Sequence, residues 1–208
     1  MNEHTPRRTV DVTLRDGSSA LVRPVDPDDR DLLRAGFDRL GPESRYRRFL
    51  SPMPELTDST LRYLTDLDHR DHEALIALDP GSRQAVGIAR FVRTSRPDVA
   101  EVAVTVVDDW QGRGLGTALL ELLAARAREE DVSRFSALVL ARNADVIDLL
   151  RRLGSMQVVG RDGPSVELEA ELPQAGLHPG LRELLRESAD ERSPVEPTGT
   201  LVPDGRGR

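Results

Sequence analysis

The chain has 208 residues, 38% hydrophobic and 31% charged, a profile that suits one soluble domain with a real core plus a polar tail and excludes a membrane span, because no apolar run approaches the roughly 18–20 residues a bilayer needs. Cysteine is absent and all 29 basic residues are arginine, which excludes disulfides, thiolate metal sites, a cysteine nucleophile, a P-loop lysine and any lysine-based catalysis. The net charge of −7 comes without a basic stripe and with only 3% aromatics, which argues against nucleic-acid binding.

The opening residues MNEHTPRRTV hold no apolar stretch of the secretory kind, so a cytoplasmic protein is expected, with residues 1–8 as an N-terminal extension. Thr9–Val25 alternates, with Val10, Val12 and Leu14 on one face and Arg-Asp-Gly-Ser as a turn, which predicts a β-hairpin. Pro24 and Pro27 end it, and Asp26 or Asp28 is placed to cap the next element. Leu32, Leu33, Ala35, Phe37 and Leu40 predict a helix stopped at Gly41-Pro42. A second short helix fits Glu43–Leu50, and a third opens at Thr57 with Leu61, Leu64 and Leu67 inward. Glu73–Leu78, Gln84–Arg93 and Ala100–Val107 then read as an antiparallel meander.

The period changes at Gly114–Arg128, where Leu115, Ala118, Leu119, Leu122 and Leu123 make one helical stripe. Phe135–Leu140 is a buried strand, so strand, helix and strand form a βαβ unit with two parallel strands. Asn143–Leu153 is a helix stopped by Gly154, and Met156–Val159 with Ser165–Leu172 forms a closing hairpin. The fold class is therefore α/β, a mixed and mostly antiparallel sheet with flanking helices. The domain is expected to span 9–172. From Pro173 onward the composition predicts a disordered tail over 173–208, with one weak helix over His178–Ser188.

Chemistry concentrates in Val106-Val-Asp-Asp-Trp-Gln-Gly-Arg-Gly-Leu-Gly-Thr117, between strand and helix. Three alternating glycines are a poor choice for packing at a helix start, because each weakens the helix. They allow close backbone approach to a ligand, and the unpaired N–H groups and positive dipole of a helix N-terminus favour an anion. A dinucleotide fingerprint would need glycine where Thr117 stands, and a P-loop needs lysine. The spacing that fits is Gln111-x-x-Gly114-x-Gly116. A tight glycine turn serving only the fold is the alternative.

This pattern resembles the coenzyme A pyrophosphate loop of the GNAT N-acetyltransferases, and the order of elements over about residues 9–172 agrees with that fold. The segments Leu14-Arg-Asp-Gly17, Arg23-Pro24, Ser44-Arg-Tyr-Arg-Arg-Phe49 and Asp68-His-Arg-Asp-His-Glu-Ala-Leu75 are similar to bacterial GNAT domains of the Pat type of protein lysine acetyltransferase. The resemblance implies acetyl-CoA as co-substrate, with backbone N–H groups of Gln111, Gly112, Arg113, Gly114, Leu115 and Gly116 on its pyrophosphate and the Thr117 hydroxyl beside them. It implies that Val106 and Val107 pair their backbone with the pantetheine arm, that Asn143 touches the same arm, and that the Val104 N–H serves as oxyanion donor. Asn143 as a helix N-cap is the other reading, and the two are compatible.

Amine acetylation needs a base, an oxyanion donor and help for the departing thiolate. The Pat-type resemblance makes Glu101 the base. Its alternation with Ala103 and Thr105 predicts partial burial, which would raise its pKa; a solvent-facing strand charge is the alternative. The tyrosine that many members use as general acid corresponds to Leu150, and their Gly-Phe to Gly154-Ser155. His69 and His72 near Asp68 and Asp71 lack a third ligand in register, so loop capping is expected there and no metal. Arg45 and Tyr46 either line an acceptor cleft or pack a helix face. The acceptor is a primary amine, on protein lysine or on a small molecule. A catalytically weak acyl-CoA sensor is the reading from another class. Oligomeric state is not legible.

Overall fold

The computed structural model describes residues 9–173; the N-terminal extension and the tail, apart from Pro173, lie outside the described residues. A hairpin comes first, β1 (Val10–Thr13) and β2 (Ser19–Pro24), turning at Gly17 with φ +84°, a conformation that suits glycine. Asp26 caps the following 3-10 turn Pro27–Asp29 through a capping box with Asp29. Asp29 is itself buried and takes both arms of the buried Arg23 guanidinium at 2.6 and 2.7 Å. Arg23-Pro24 thus fastens the hairpin to the first helix.

Three short helices follow, α1 (Arg30–Asp38), α2 (Pro42–Phe49) and α3 (Asp58–Thr65). The sheet resumes with β3 (His72–Leu78), β4 (Ala85–Arg93) and β5 (Val99–Val106). Then come α4 (Leu115–Glu129), β6 (Arg134–Leu140), α5 (Ala144–Leu153), β7 (Met156–Asp162) and β8 (Ser165–Glu171). The closing hairpin is longer than its sequence suggests, because an irregularity between Val158 and Gly160 lets β7 run on to Asp162.

Eight described strands form one sheet in the order β1-β2-β3-β4-β5-β6-β8-β7. Only β5 and β6 run parallel, and they pair at Val99↔Arg134, Ala100↔Phe135 and Glu101↔Ser136. Beyond that rung β5 stays with β4 as far as Val106, and β6 stays with β8 as far as Leu140. Each strand follows its antiparallel neighbour through the twist of the sheet, so a wedge opens between them.

Around β4 and β5 the sheet is covered on both faces. On one, Gly87 lets α4 lie close: an added Cβ would sit 3.0 and 3.2 Å from the side chains of Leu119 and Leu115. Leu115, Leu119, Leu120 and Leu123 of α4 are fully buried there, with Phe91 and Phe135. The other face carries Ile88, Arg90, Thr105 and Ala103 beneath α1 and α2. No described helix is long and apolar enough to cross a membrane.

Candidate active site

The wedge is where β5 has backbone to offer. Val107 N–H bonds Val86 O at 3.0 Å, and Val99 O accepts Thr94 N–H at 2.9 Å. Odd-numbered residues of β5 therefore turn their backbone groups towards β4, and Val102, Val104 and Val106 turn theirs into the opening. This corrects one expectation. Val107 is closed: its N–H is held by β4, its carbonyl accepts Trp110 N–H at 2.9 Å, and its side chain is buried. It has no backbone group left for a pantetheine arm.

The loop after β5 is braced by side chains. Gln111 Nε2 donates to Val106 O at 3.0 Å and to Asp108 Oδ1 at 3.2 Å. Asp108 in turn accepts Ser44 Oγ at 2.6 Å and Gly41 N–H at 3.1 Å, which ties the α1–α2 turn to the loop. Arg15 N–H bonds Arg113 O at 3.1 Å, so the β1–β2 turn supports the other side. Arg113 donates to Asp109 O at 2.7 Å and lies over the Trp110 ring.

The three glycines serve different ends. Gly112 has φ +74° with open space around a hypothetical Cβ, and Gly114 has φ +97° with Arg15 Cγ 3.2 Å from that position. Both take backbone conformations that L residues avoid. Gly116 has an ordinary φ, and its Cβ would meet Leu149 at 3.4 Å and Val106 at 3.7 Å. These are ordinary contact distances, so neither backbone conformation nor packing in the free protein demands glycine at this position. Ala118 N–H to Gly114 O opens the helical ladder of α4. The N–H groups of Leu115, Gly116 and Thr117 precede it and have no intrahelical carbonyl. They face a cleft of about 410 Å³ lined also by Arg15, Val104, Gln111 and Asn143.

Asn143 stands at the start of α5 but makes no side-chain capping bond. It is only 4% exposed, and its Oδ1 is buried without a partner. The cap reading fails on geometry, and a buried amide oxygen on the cleft wall is left over. Such orphans are uncommon in folded proteins.

Glu101 stands at the last rung of the parallel ladder, on the same face as Ala103 and Thr105. It is exposed, so the expected burial is not found. The wedge that begins at Glu101 leaves this carboxylate open to water, and alternation along a strand cannot report where a neighbouring strand departs.

A second cavity lies on that face, between α1, α2 and the sheet. Leu33, Phe37, Leu40, Phe49 and Ile88 make it strongly apolar, and Arg48 and Thr105 line both it and the larger cleft. Arg90, buried, donates to His72 Nε2 and lies 4.6 Å over the Tyr63 ring. Burial first, then Arg90 and then His69 push the His72 pKa down to about 3, so this ring is neutral near pH 7. Burial, with Arg48 next, pulls Arg90 down to about 10, which still leaves it charged. Burial also lowers the pKa of Arg48, against the attraction of Glu101 and Tyr63.

The remaining expectations divide. Asp68 Oδ1 accepts the N–H groups of Arg70, Asp71 and His72 at 2.8–3.0 Å, which is loop capping. His69 is buried on Glu73 at 2.8 Å, and no metal-binding group occurs among the described residues. Arg45 is structural: it donates to Leu40 O, Pro54 O and Asp38 O and stacks on Phe37 at 4.3 Å. Tyr46 lines neither cavity. Leu150 is 1% exposed in the core, so no acid group stands there. Gly154 cannot carry a Cβ, which would lie 2.7 Å from Glu171 O. Sequence reasoning misses Arg48, Asp108 and Arg15 as site residues; only the shared Ser44–Phe49 and Leu14–Gly17 segments mark the neighbourhood of two of them.

Residues 42–155 match the Acetyltransferase (GNAT) family. Acetyltransferase Pat of Mycolicibacterium smegmatis is 34% identical over 182 residues, 87% of this chain and 54% of that protein. The chain thus spans about half the length of that relative. Acetyltransferase PA5475 of Pseudomonas aeruginosa is 34% identical over 144 residues, 68% of this chain and 77% of that one. Among solved structures, the GNAT domain of S. lividans PAT superposes with a TM-score of 0.72 at 35% identity, covering 82% of this chain and all of that domain. With the splayed β5–β6 pair and the glycine loop at the head of α4, these likenesses agree that the chain belongs to the GNAT acetyltransferase family.

Proposed function

We propose that the chain transfers an acetyl group from acetyl-CoA to a primary amine, with a protein lysine as the first acceptor class to test. The observation that carries this is the orphaned Oδ1 of Asn143, buried on the wall of the same cleft that receives the first-turn amides of α4. An acceptor facing a set of free donors along one groove fits a ligand with an anionic end and an amide-bearing arm. A pyrophosphate suits the amides of Gly112–Thr117. A pantetheine amide suits Asn143, the carbonyl of Val104 and the N–H of Val106, since Val106 O is already taken by Gln111.

Acetyl-CoA supplies the activated acyl carbon when bound; the residues supply position and proton handling. Gly112, Gly114, Leu115, Gly116 and Thr117 line the cleft and hold the anion, whereas Gln111, whose N–H is given to Asp108 O at 3.3 Å, braces the loop, and Arg113 does not line the cleft. Val104 N–H, pointing into the wedge, is the oxyanion donor. Glu101 takes the amine proton, directly or through one water, since its exposed position admits water. The acceptor reaches this point from the apolar cavity under α1 and α2, where a lysine stem can lie along Phe37, Phe49 and Ile88.

The test is a thiol-release assay with a panel of lysine-bearing proteins, peptides and small amines, preceded by calorimetry with CoA. Binding and turnover on a lysine-bearing acceptor support the reading, and turnover on small amines alone moves the acceptor class. A second reading, an acyl-CoA sensor with weak catalysis, draws on the buried Leu150 where many relatives use an acid. Tight CoA binding with no thiol release over the whole panel would favour it.

A further inference from the structure

Arg48 stands at the junction of the two cavities, near Glu101 but with no salt bridge to it. It comes from α2 and lines the cofactor cleft together with Val104 and Val106, and the apolar cavity together with Ala103. Among the described residues it has no hydrogen-bond or ion-pair partner; its close packing is on the Phe49 ring, 5.0 Å away. The charged and titratable groups that face it are Glu101 on β5, Tyr63 on α3 and Arg90 on β4. Arg90 is already engaged with His72 and Tyr63, whereas Arg48 is free. Its neighbour Arg47 differs again, being paired to Glu43 at 2.8 Å and Asp145 at 3.1 Å.

Arg48 is partly buried, and withdrawing a guanidinium even partly from water without a partner is unfavourable. Such a group persists where a ligand or a transition state brings the missing negative charge. The chain also lacks an acid at the place where many relatives carry tyrosine, because Leu150 is buried in the core. The departing sulfur then receives no proton from that position on α5.

We infer that Arg48 is a catalytic residue that holds the charge of the departing thiolate. This rests on the acetyl-transfer reading. The amine nitrogen forms a bond to the acyl carbon, and its proton passes to Glu101. The carbon–sulfur bond breaks, and its electron pair stays on sulfur, beside the Arg48 guanidinium. No further reactant is needed. A fixed cation beside the sulfur does for the thiolate what an acid would otherwise do by protonation.

The experiment uses CoA itself, so the acceptor need not be known. Calorimetry first establishes that CoA binds the full chain; absence of binding sinks the acetyl-transfer reading and this inference with it. The thiol of bound CoA is then titrated by its thiolate absorbance. In the wild type it should ionise about 1–3 pH units below free CoA, as expected beside an opposite charge. Arg48→Gln should return it to the free value with CoA affinity nearly kept, and Arg48→Lys should keep most of the lowering. Steady-state turnover of Arg48→Gln should fall about 10²–10³-fold. Melting curves show whether the variants fold, and the lysine variant carries the test if glutamine does not. Equal thiol titration in wild type and Arg48→Gln overturns the assignment. So does a rise in KM confined to carboxylate-bearing acceptors at unchanged kcat, which would make Arg48 a binding group for the acceptor.

Discussion

Glu101 faces Ser136 across the last rung that joins β5 to β6. One residue further on, the strands have parted. The carboxylate therefore stands at the apex of the wedge, where an acyl group lying along Val104 and Val106 would end. Glu101→Gln keeps the shape and removes the basicity, and turnover should fall by about 10²–10⁴-fold at neutral pH. CoA affinity should hardly change, because Glu101 lies on β5, away from the first-turn amides of α4. The wild-type pH profile should rise through the ionisation of this group, and the variant should lose that limb on the same acceptor. Turnover within about a factor of two of wild type would leave Glu101 a solvated strand charge.

The glycines of the loop should respond unequally. Gly114→Ala forces an L residue into a left-handed conformation, at a cost of roughly 1–2 kcal/mol, and pushes its methyl group onto Arg15. It should lower the melting temperature and weaken CoA binding together. Gly116→Ala adds a methyl at ordinary contact distance from Leu149 and removes a helix glycine, worth about 0.5–1 kcal/mol. It should keep or raise stability and leave CoA affinity within roughly threefold, a change of well under 1 kcal/mol. Calorimetry and melting curves on both variants decide this. Lost CoA binding in Gly116→Ala with an intact fold would mean that this Cβ points at the ligand after all.

Much of this site can be read from local pattern. Alternation puts Glu101, Ala103 and Thr105 on one face of β5, and the spacing Gln111-x-x-Gly114-x-Gly116 puts a glycine loop at a helix start. What local pattern cannot carry is the point at which a ladder stops. The exposure of Glu101 and the closure of Val107 both depend on which neighbour β5 keeps, and that is set by β4 and β8 together. Asn143 fails as a cap for a related reason. Its identity suits a cap, but the chain enters α5 at φ −83° and ψ 73°, outside the extended conformation a capping side chain uses. Arg48 is hidden in an arginine-rich segment, where only the fold distinguishes it from its paired neighbour Arg47.

His72 should make folding stability depend on pH in a defined window. In the folded chain it titrates at about 3, against an ordinary 6.5. Between these values the unfolded chain binds a proton there and the folded chain does not. Stability is therefore lost as pH falls through that window, and above it this residue has no effect. His72→Gln should flatten the decline by roughly one proton per molecule at most. Denaturant melts of both proteins at several pH values between these limits give the difference, in which the contributions of the carboxylates cancel. Parallel curves would mean that His72 is protonated beside Arg90 in the folded chain.

Asn143→Ala should separate structure from binding by sign. An asparagine that caps a helix loses about 0.5–2 kcal/mol when replaced by alanine. Here no capping bond exists to lose. The substitution instead removes a buried carbonyl oxygen that has no partner, a group whose burial costs about 1–3 kcal/mol. The free protein should therefore melt at the same temperature or higher. Binding should move the other way. If the side chain receives an N–H of the pantetheine arm, its loss removes a hydrogen bond worth about 0.5–1.5 kcal/mol, or roughly two- to tenfold in CoA affinity. The comparison needs only calorimetry with CoA and thermal melts of the free chain. A lower melting temperature with unchanged affinity would return Asn143 to the helix and leave the orphaned oxygen to a water. Raised stability with weakened binding would mean that the fold tolerates this strain for the sake of the ligand.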